Sequence, residues 1–439
     1  MNRFHSKKLI ARWLKPFFQY YNYRTFALET LRSVVLSFRS DYGAFYVFAR
    51  GRLYNSWNTW KHELPSVRPY YAVKCNPDRA ILQTLSSLGA GFDCASGREL
   101  MEVAEAGASK EDFNERVVYA NPCKPLRDLY KAKALGSPTT VIDSCEEVEK
   151  LKDIKWGGGA LIRLLVEDKG SIMPFSRKFG ISSNKVEEIA IAAAKAGIPI
   201  KGVSFHVGSG CQDEKQYKMA ISAAADAISV VKGKGHEADI VDIGGGFMTD
   251  EHSFEKSALA IRMGMVEKSY THPGLRYIAE PGRFFATSAF DLFVQVIGKK
   301  PSIDGNSWRY TIDESLYGQF SCIPFDHKKP AWLRVSMSGE KTERRRVKGT
   351  LFGRTCDSLD LIATSDDMEE LNVGDWLWFP NMGAYSSVTA SEFNGFPKPP
   401  THGLDHVSYL PEINEVKTNE SASWPKNVQT VSCVNAPLV

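Results

Sequence analysis

A (β/α)8 barrel joined to a mainly β C-terminal domain is the fold class that this 439-residue sequence predicts. Three observations point to it. Between about residues 45 and 285, short apolar runs alternate with helical patterns in about eight units. Such β-then-α alternation implies parallel strands joined by right-handed crossovers. Nearly every chemically suggestive short sequence falls where a candidate strand ends, which is where barrel enzymes build their sites, whereas an open sheet would gather ligand contacts at one switch point. After residue 285, apolar runs are separated by polar turns instead, the pattern of strands without intervening helices.

Taken in order, residues 1–44 read as a basic segment joining the β domain. Arg3, Lys7, Lys8, Arg12, Lys15 and Arg24 occur with no acid before Glu29. Leu9, Trp13 and Phe17, with Ile10, Leu14 and Phe18, recur every four residues and so share one face of a helix. A basic amphipathic helix can be a transit peptide or a membrane-surface anchor. An apolar stripe at helical spacing more often packs on its own protein, and a surface helix or subunit contact is the expectation.

The barrel, residues 45–285, has candidate strands at Ala44–Phe48, Arg68–Lys74, Gly91–Cys94, Val117–Ala120, Thr140–Asp143, Ala160–Leu165, Ile200–His206, Ile240–Ile243 and Arg276–Glu280. Helical patterns lie between them at Asp78–Leu88, Gly97–Ala106, Glu146–Lys152, Asn184–Ala196 and Lys215–Lys234. In the β-rich part, residues 286–411, strands are expected at Phe290–Ile297, Trp308–Ile312, Ala331–Val335, Gly349–Gly353 and Asp375–Pro380. The charge run Glu340–Lys348 reads as a solvated hairpin loop. Residues 412–439, rich in Asn, Ser, Thr and Pro, read as a poorly ordered tail.

Composition narrows the function. Hydrophobic content of 43% and charged content of 24% belong to an ordinary globular protein. A net charge of +4 without clustering argues against a nucleic-acid binder. No stretch reaches the roughly 18 uninterrupted apolar residues of a transmembrane helix. The 8 cysteines form no CxxC pair, so no metal site is indicated, and their low density suits reduced thiols in a cytoplasmic setting.

The chemistry comes from residues that are individually ambiguous. Lys74 ends an apolar strand in Tyr-Ala-Val-Lys-Cys-Asn. A strand-end lysine is usually just solvated, but one desolvated at an active-site mouth has a lowered pKa and can form a Schiff base. Asp242-Ile-Gly-Gly-Gly-Phe247 follows a strand late in the barrel. It could be a flexible turn, or a loop where Gly244, Gly245 and Gly246 let backbone N–H groups surround a phosphate. Glu280-Pro281-Gly282-Arg283 reads either as a turn with a surface ion pair or as an acid for a protonated pyridine nitrogen with an arginine for phosphate. His206 could stack on an aromatic ring, with the Ser209 hydroxyl suited to phosphate. Cys356 and Asp357 set a thiol beside a carboxylate, although a buried cysteine is usually an inert apolar group. Asp326, after Phe325, is either a solvated acid or a receiver for an ammonium group.

Together these segments resemble the eukaryotic ornithine decarboxylase family, pyridoxal-phosphate enzymes with an alanine-racemase-like barrel. PYYAVKCNPDRAIL, LGAGFDCAS, VVYANPCK, GVSFHVGSGC, DIGGGF, IAEPGRFF, LYGQFSCIPFDH, FGRTCDSLD and NMGAYSSVTASEFNGF match in order from about residue 45 to 397. The resemblance implies pyridoxal 5′-phosphate as cofactor, Lys74 as its Schiff-base lysine, Glu280 as partner of the pyridine nitrogen and His206 as the ring-stacking residue. It implies that Asp93 and Arg163 support the lysine and cofactor region. Ser209, Gly246, Arg283 and Tyr385 would bind phosphate, with Gly245, Pro281 and Gly282 in the same motifs. Cys356 would protonate the carbanion at Cα, and Asp357 and Asp326, with Phe325 beside them, would meet the distal end of the substrate. Cys356, Asp357 and Tyr385 would reach the site of the other subunit, so a homodimer is implied. Lys178 and Asp360 match a subunit-bridging pair, and Val166–Ser176 matches a mobile loop.

The implied activity is decarboxylation of L-ornithine to putrescine, a step of polyamine biosynthesis open to an antizyme-type regulator. Asp313-Glu314-Ser315, Phe325 and Ser358 depart from the family pattern near the distal end of the substrate. Lysine, arginine or diaminopimelate decarboxylases of the same fold are therefore alternatives. A catalytically inactive regulator resembling antizyme inhibitor is another.

Overall fold

A computed structural model of the chain describes residues 29–39, 43–337 and 344–404. The proposed N-terminal basic helix before residue 29 and the tail after residue 412 lie outside the described residues. The described residues divide into two compact units, Arg52–Ser288 and a second made of those up to Gly51 with those from Ala289 onward.

One boundary differs from the sequence reading. Strand β1 (Phe45–Ala49), assigned above to the barrel, pairs antiparallel with the strand at Phe290–Pro301 and parallel with Thr401–Leu404. Its run Phe-Tyr-Val-Phe-Ala is buried throughout. A run buried on both faces does not reveal from its own residues whether its neighbours are parallel or antiparallel.

The barrel unit contains β2 (Val67–Ala72), β3 (Gly91–Cys94), β4 (Val117–Tyr119), β5 (Thr139–Ile142), β6 (Ala160–Arg163), β7 (Ser171–Met173), β8 (Ile200–Ser204), β9 (Ser209–Cys211), β10 (Ile240–Asp242) and β11 (Arg276–Ala279). Eight of them close a barrel in the order β10-β11-β2-β3-β4-β5-β6-β8. All eight were read from the sequence to within a few residues. Tyr70, Val118, Val141, Leu161 and Ile278, each from a different strand, pack together as buried core. Polar residues just past the strand ends start the next helices. Ser96 accepts from the Glu99 amide and Ser144 from the Glu147 amide, which satisfies donors that a helix start leaves open.

The remaining strands, β7 and β9, form a separate antiparallel ribbon. Strand β7 falls within the segment expected to be a mobile loop, and no strand was read there because Ser-Ile-Met is too short to show alternation. Behind the barrel mouth, Trp60 packs among Phe247, Phe254, Phe284 and Phe285, with its indole N–H on the Val67 carbonyl at 3.0 Å.

The second unit is mainly β: β12 (Phe290–Pro301), β13 (Trp308–Ile312), β14 (Leu333–Val335), β15 (Arg346–Phe352), β16 (Leu361–Glu369), β17 (Trp376–Phe379) and β18 (Thr401–Leu404) join β1 in one sheet. Leu31, Val34 and Val35 from the helix at residues 29–38 pack on Phe45, Val47, Phe293, Trp376 and Trp378. The charge run corrects a second expectation. Arg346 and Lys348 are not in a solvated loop but on β15, paired with Asp367 at 2.7 Å and Asp366 at 3.3 Å on β16. A strand with one wet face carries charges at alternate positions, and cross-strand partners of opposite sign hold them.

Candidate active site

Strand β2 ends at Ala72, and a single 3-10 turn, Val73–Cys75, lifts Lys74 to the barrel mouth. On the neighbouring strand Ala72 lies opposite Asp93, so register brings the ammonium and carboxylate together. Lys74 donates to Asp93 Oδ2, and the Asp93 side chain is fully buried. A carboxylate removed from water needs a cation, and the lysine is held for that reason. The other oxygen, Asp93 Oδ1, accepts from no protein group. Behind the pair, Glu99 accepts from the Ala95 amide at 2.6 Å. Burial, reinforced by Asp93, pushes its carboxyl up to about 7. Nothing in the sequence marked Glu99 beyond its place near the start of a helix.

The glycine loop follows β10. Its first peptide is fixed by Asp242, whose Oδ1 accepts from the Gly244 amide at 2.9 Å. Gly244 and Gly246 have φ of +65° and +101°, which side-chain-bearing residues rarely adopt. A Cβ at Gly244 would stand 2.3 Å from the Phe205 carbonyl, and one at Gly246 would stand 2.6 Å from that of Gly208. The strip is therefore backbone by necessity. Next to it, Arg283 Nη2 donates to Ser209 Oγ at 2.8 Å, joining two of the side chains read as phosphate ligands.

Glu280 follows β11 and is 4% exposed, with Oε1 lacking any protein partner among the described residues. Burial, then the neighbouring carboxylates Asp242 and Asp93, hold it well above the ordinary carboxyl range. Burial raises Asp242 to about 6, with a hydrogen bond to Glu280 among the influences lowering it. The pair thus keeps a proton. Pro281 closes the strand junction through its carbonyl, which accepts from Ala72 N at 3.2 Å. At Gly282 a Cβ would come within 3.0 Å of Cys75 Cβ, in the turn that carries Lys74.

His206 is held neutral. Burial drives its pKa well below the usual value, and the cations Arg163 and Lys74 add to this. Its Nδ1 accepts from the Gly208 amide at 3.0 Å, which assigns the ring proton to Nε2. Arg163, at the end of β6, is 7% exposed. The Phe175 ring lies 4.8 Å from that of His206, carried there by the β7 segment. Asp168, which the sequence did not single out, accepts from the Phe175 and Ser176 amides at 2.6 and 2.7 Å.

The other predicted residues belong to the β unit. Cys356 is exposed, and its amide donates to Asn394 Oδ1 at 3.0 Å. Asp357 accepts from the Tyr317 hydroxyl and from the Leu359 amide at 3.0 Å. These hydrogen bonds keep its carboxyl below the usual range. Tyr385 has φ +54°, and Phe325 and Asp326 end the short helix Cys322–Asp326, with Phe325 65% exposed. Asp360 is tied into its own chain. It is 1% exposed, and its carboxylate accepts from Leu316 N at 2.7 Å, Thr355 N at 2.9 Å and Thr355 Oγ1 at 2.6 Å. An acid so engaged within its own turn shapes the Thr355–Cys356–Asp357 loop.

The barrel residues fit a phosphorylated pyridine aldehyde. Unpartnered buried oxygens on Asp93 and Glu280, a glycine cradle with Ser209 and Arg283 beside it, and a lysine at the mouth match that group's chemistry. The family model for the pyridoxal binding domain of pyridoxal-dependent decarboxylases matches residues 50–287. Ornithine decarboxylase from Schizosaccharomyces pombe is 38% identical over 375 residues, covering 84% of this chain and 85% of the relative. The chloroplastic ornithine decarboxylase of Nicotiana glauca is 38% identical over 359 residues, covering 80% and 81%. That of Mus musculus is 34% identical over 409 residues, covering 90% and 87%. Among solved structures, the arginine decarboxylase of Paramecium bursaria Chlorella virus superposes with TM-score 0.79 at 29% identity, covering 86% of this chain and all of that one. The lysine/ornithine decarboxylase of Vibrio vulnificus superposes with TM-score 0.76 at 29% identity, covering 86% and 98%. The chain belongs to the pyridoxal-dependent decarboxylase family, with eukaryotic ornithine decarboxylases among its relatives.

Proposed function

We propose that this chain decarboxylates L-ornithine to putrescine. The observation that carries the reading is the Lys74–Asp93 pair facing the buried Glu280, with a glycine cradle alongside. Relatives named ornithine decarboxylases support the substrate. Pyridoxal phosphate, when bound, supplies an electron sink for the carbanion left by departing carbon dioxide.

The residues divide the work. Lys74 would hold the cofactor, and Asp93 keeps that lysine oriented. Glu280 would partner the ring nitrogen, and neutral His206 would lie against the ring without adding a competing positive charge. Arg163 balances the buried acids. Ser209, Gly245, Gly246 and Arg283 hold the phosphate, Pro281 and Gly282 shape the turn beneath it, and Tyr385 completes the set from the β unit. Cys356 donates a proton to Cα, and Asp357 with Asp326 receives the distal ammonium, beside Phe325. A homodimer in which Cys356, Asp357 and Tyr385 serve the partner's barrel is part of this reading, as is a cytoplasmic setting. No helix among the described residues is long and apolar enough to cross a membrane.

Carbon dioxide release measured in parallel on ornithine, lysine, arginine and diaminopimelate tests the substrate. Ornithine should lead, and a clear preference for any other sinks the claim. The Lys74→Ala variant should lose the visible absorbance of lysine-bound pyridoxal. A purified wild-type protein without that band would favour the inactive-regulator alternative.

A further inference from the structure

A three-glycine loop can adopt many conformations, so a phosphate subsite built on it needs its peptides oriented by neighbouring groups. Tyr217, on the helix Lys215–Lys232, is fully buried, and its hydroxyl donates to the Gly245 carbonyl at 2.9 Å. Its ring stacks on Phe247, centroids 5.4 Å apart and planes 19° from parallel. The next carbonyl, that of Gly246, accepts from the Cys211 amide on β9 at 3.1 Å.

In a trans peptide the C=O and the following N–H point in opposite directions. Fixing the Gly245 carbonyl toward Tyr217 therefore turns the Gly246 N–H the other way. Fixing the Gly246 carbonyl toward β9 does the same for the Phe247 N–H. Neither amide donates to another backbone carbonyl among the described residues. Two successive amides thus face away from the helix and the ribbon, forming the kind of nest that binds an anion.

We infer that Tyr217 is a positioning residue of the phosphate subsite, its hydroxyl setting the direction of the Gly246 amide without itself touching the cofactor. The inference deepens the cofactor reading and rests on it. The phenol suits the task, because burial raises its pKa and keeps it a neutral donor. Nothing in the sequence marks this residue, which sits on a helix about 30 positions before the loop that it steers.

The experiment compares two probes on apo-protein: pyridoxal 5′-phosphate and pyridoxal, which lacks the phosphate. Tyr217→Phe keeps the ring and its stacking on Phe247 but removes the hydroxyl. Affinity for pyridoxal phosphate should fall about five- to tenfold, the range of one lost hydrogen bond, while affinity for pyridoxal stays unchanged. Equal losses for both probes would mean general loosening of the barrel and overturn the inference. So would unchanged binding of both. If wild-type protein binds neither, the cofactor reading itself fails and this inference falls with it. A second variant, Tyr217→Leu, removes ring and hydroxyl together. It should weaken pyridoxal phosphate binding at least as much, and undiminished phosphate selectivity there would likewise overturn the assignment.

Discussion

Glu99 shows how a residue can matter electrostatically without touching a substrate. Its carboxyl is raised from 4.5 to about 7, first by burial and then by Asp93. A carboxyl whose folded pKa lies above its unfolded value contributes stability below about pH 4.5, and that contribution is lost as pH rises through about 7. Asp242, Asp313 and Glu314 are raised too, to about 6, 6 and 7, so the same trend has several sources. Glu99→Gln should therefore melt with a flatter pH profile between pH 5 and 8, and its gain over wild type should be largest at the alkaline end. An unchanged slope by thermal unfolding of the apo-protein would show that Glu99 stays ionised throughout. At this scale the sequence named Lys74, Asp93, Glu280 and the glycines through their motifs. It missed Glu99, Asp168 and Tyr217, whose hydrogen bonds go to backbone groups and leave no motif in the sequence.

At the scale of elements, a buried acid and a buried lysine tie parts of the barrel together. Asp168 is 2% exposed and closes the β7 segment through the Phe175 and Ser176 amides. Asp168→Ala should speed amide exchange across residues 171–176 by about tenfold or more, since each bond contributes about 1 kcal/mol. Exchange in the barrel strands should not change, and a uniform increase would assign Asp168 to general stability instead. The second tie is Lys124, fully buried, whose Nζ reaches Glu147 at 2.9 Å, the Asn121 carbonyl at 2.9 Å and the Val141 carbonyl at 2.7 Å. It joins the ends of β4 and β5. Lys124→Met should destabilise the chain by about 3 kcal/mol in urea unfolding, because carbonyls lose a donor and Glu147 loses one of its two cations. The barrel strands were legible in the sequence because parallel strands are continuous apolar runs set apart by helices. The ribbon and β16 were not, since three-residue strands and charged wet faces look like loop.

For the whole molecule, the proposed shared site makes a sharp statement about assembly. Lys74→Ala and Cys356→Ala chains should each be nearly inactive alone. Refolded together in equal amounts, half of the dimers would be mixed and would carry one intact site, restoring about a quarter of the wild-type rate. If Lys74 and Cys356 instead serve one site within a single chain, mixing restores nothing. The Cys356→Ala homodimer should also release product protonated at the wrong carbon, seen by chromatography of the reaction mixture.

The amino-acid sequence alone determined the barrel, the β-rich second part and the motif residues of the barrel mouth. These follow from local periodicity and from residue types that only certain chemistry requires in that order. The folded chain determined which sheet takes β1, where the Asp360 carboxylate turns, and which side chains hold the glycine loop and the Lys74–Asp93 pair in place. Those depend on contacts between residues far apart in sequence, and a residue's own identity carries no record of its distant neighbour. Lys74 is the clearest case: an unremarkable lysine in its strand, it acquires its role from an acid on the strand to one side and a carboxyl pair at the ends of the two strands on the other.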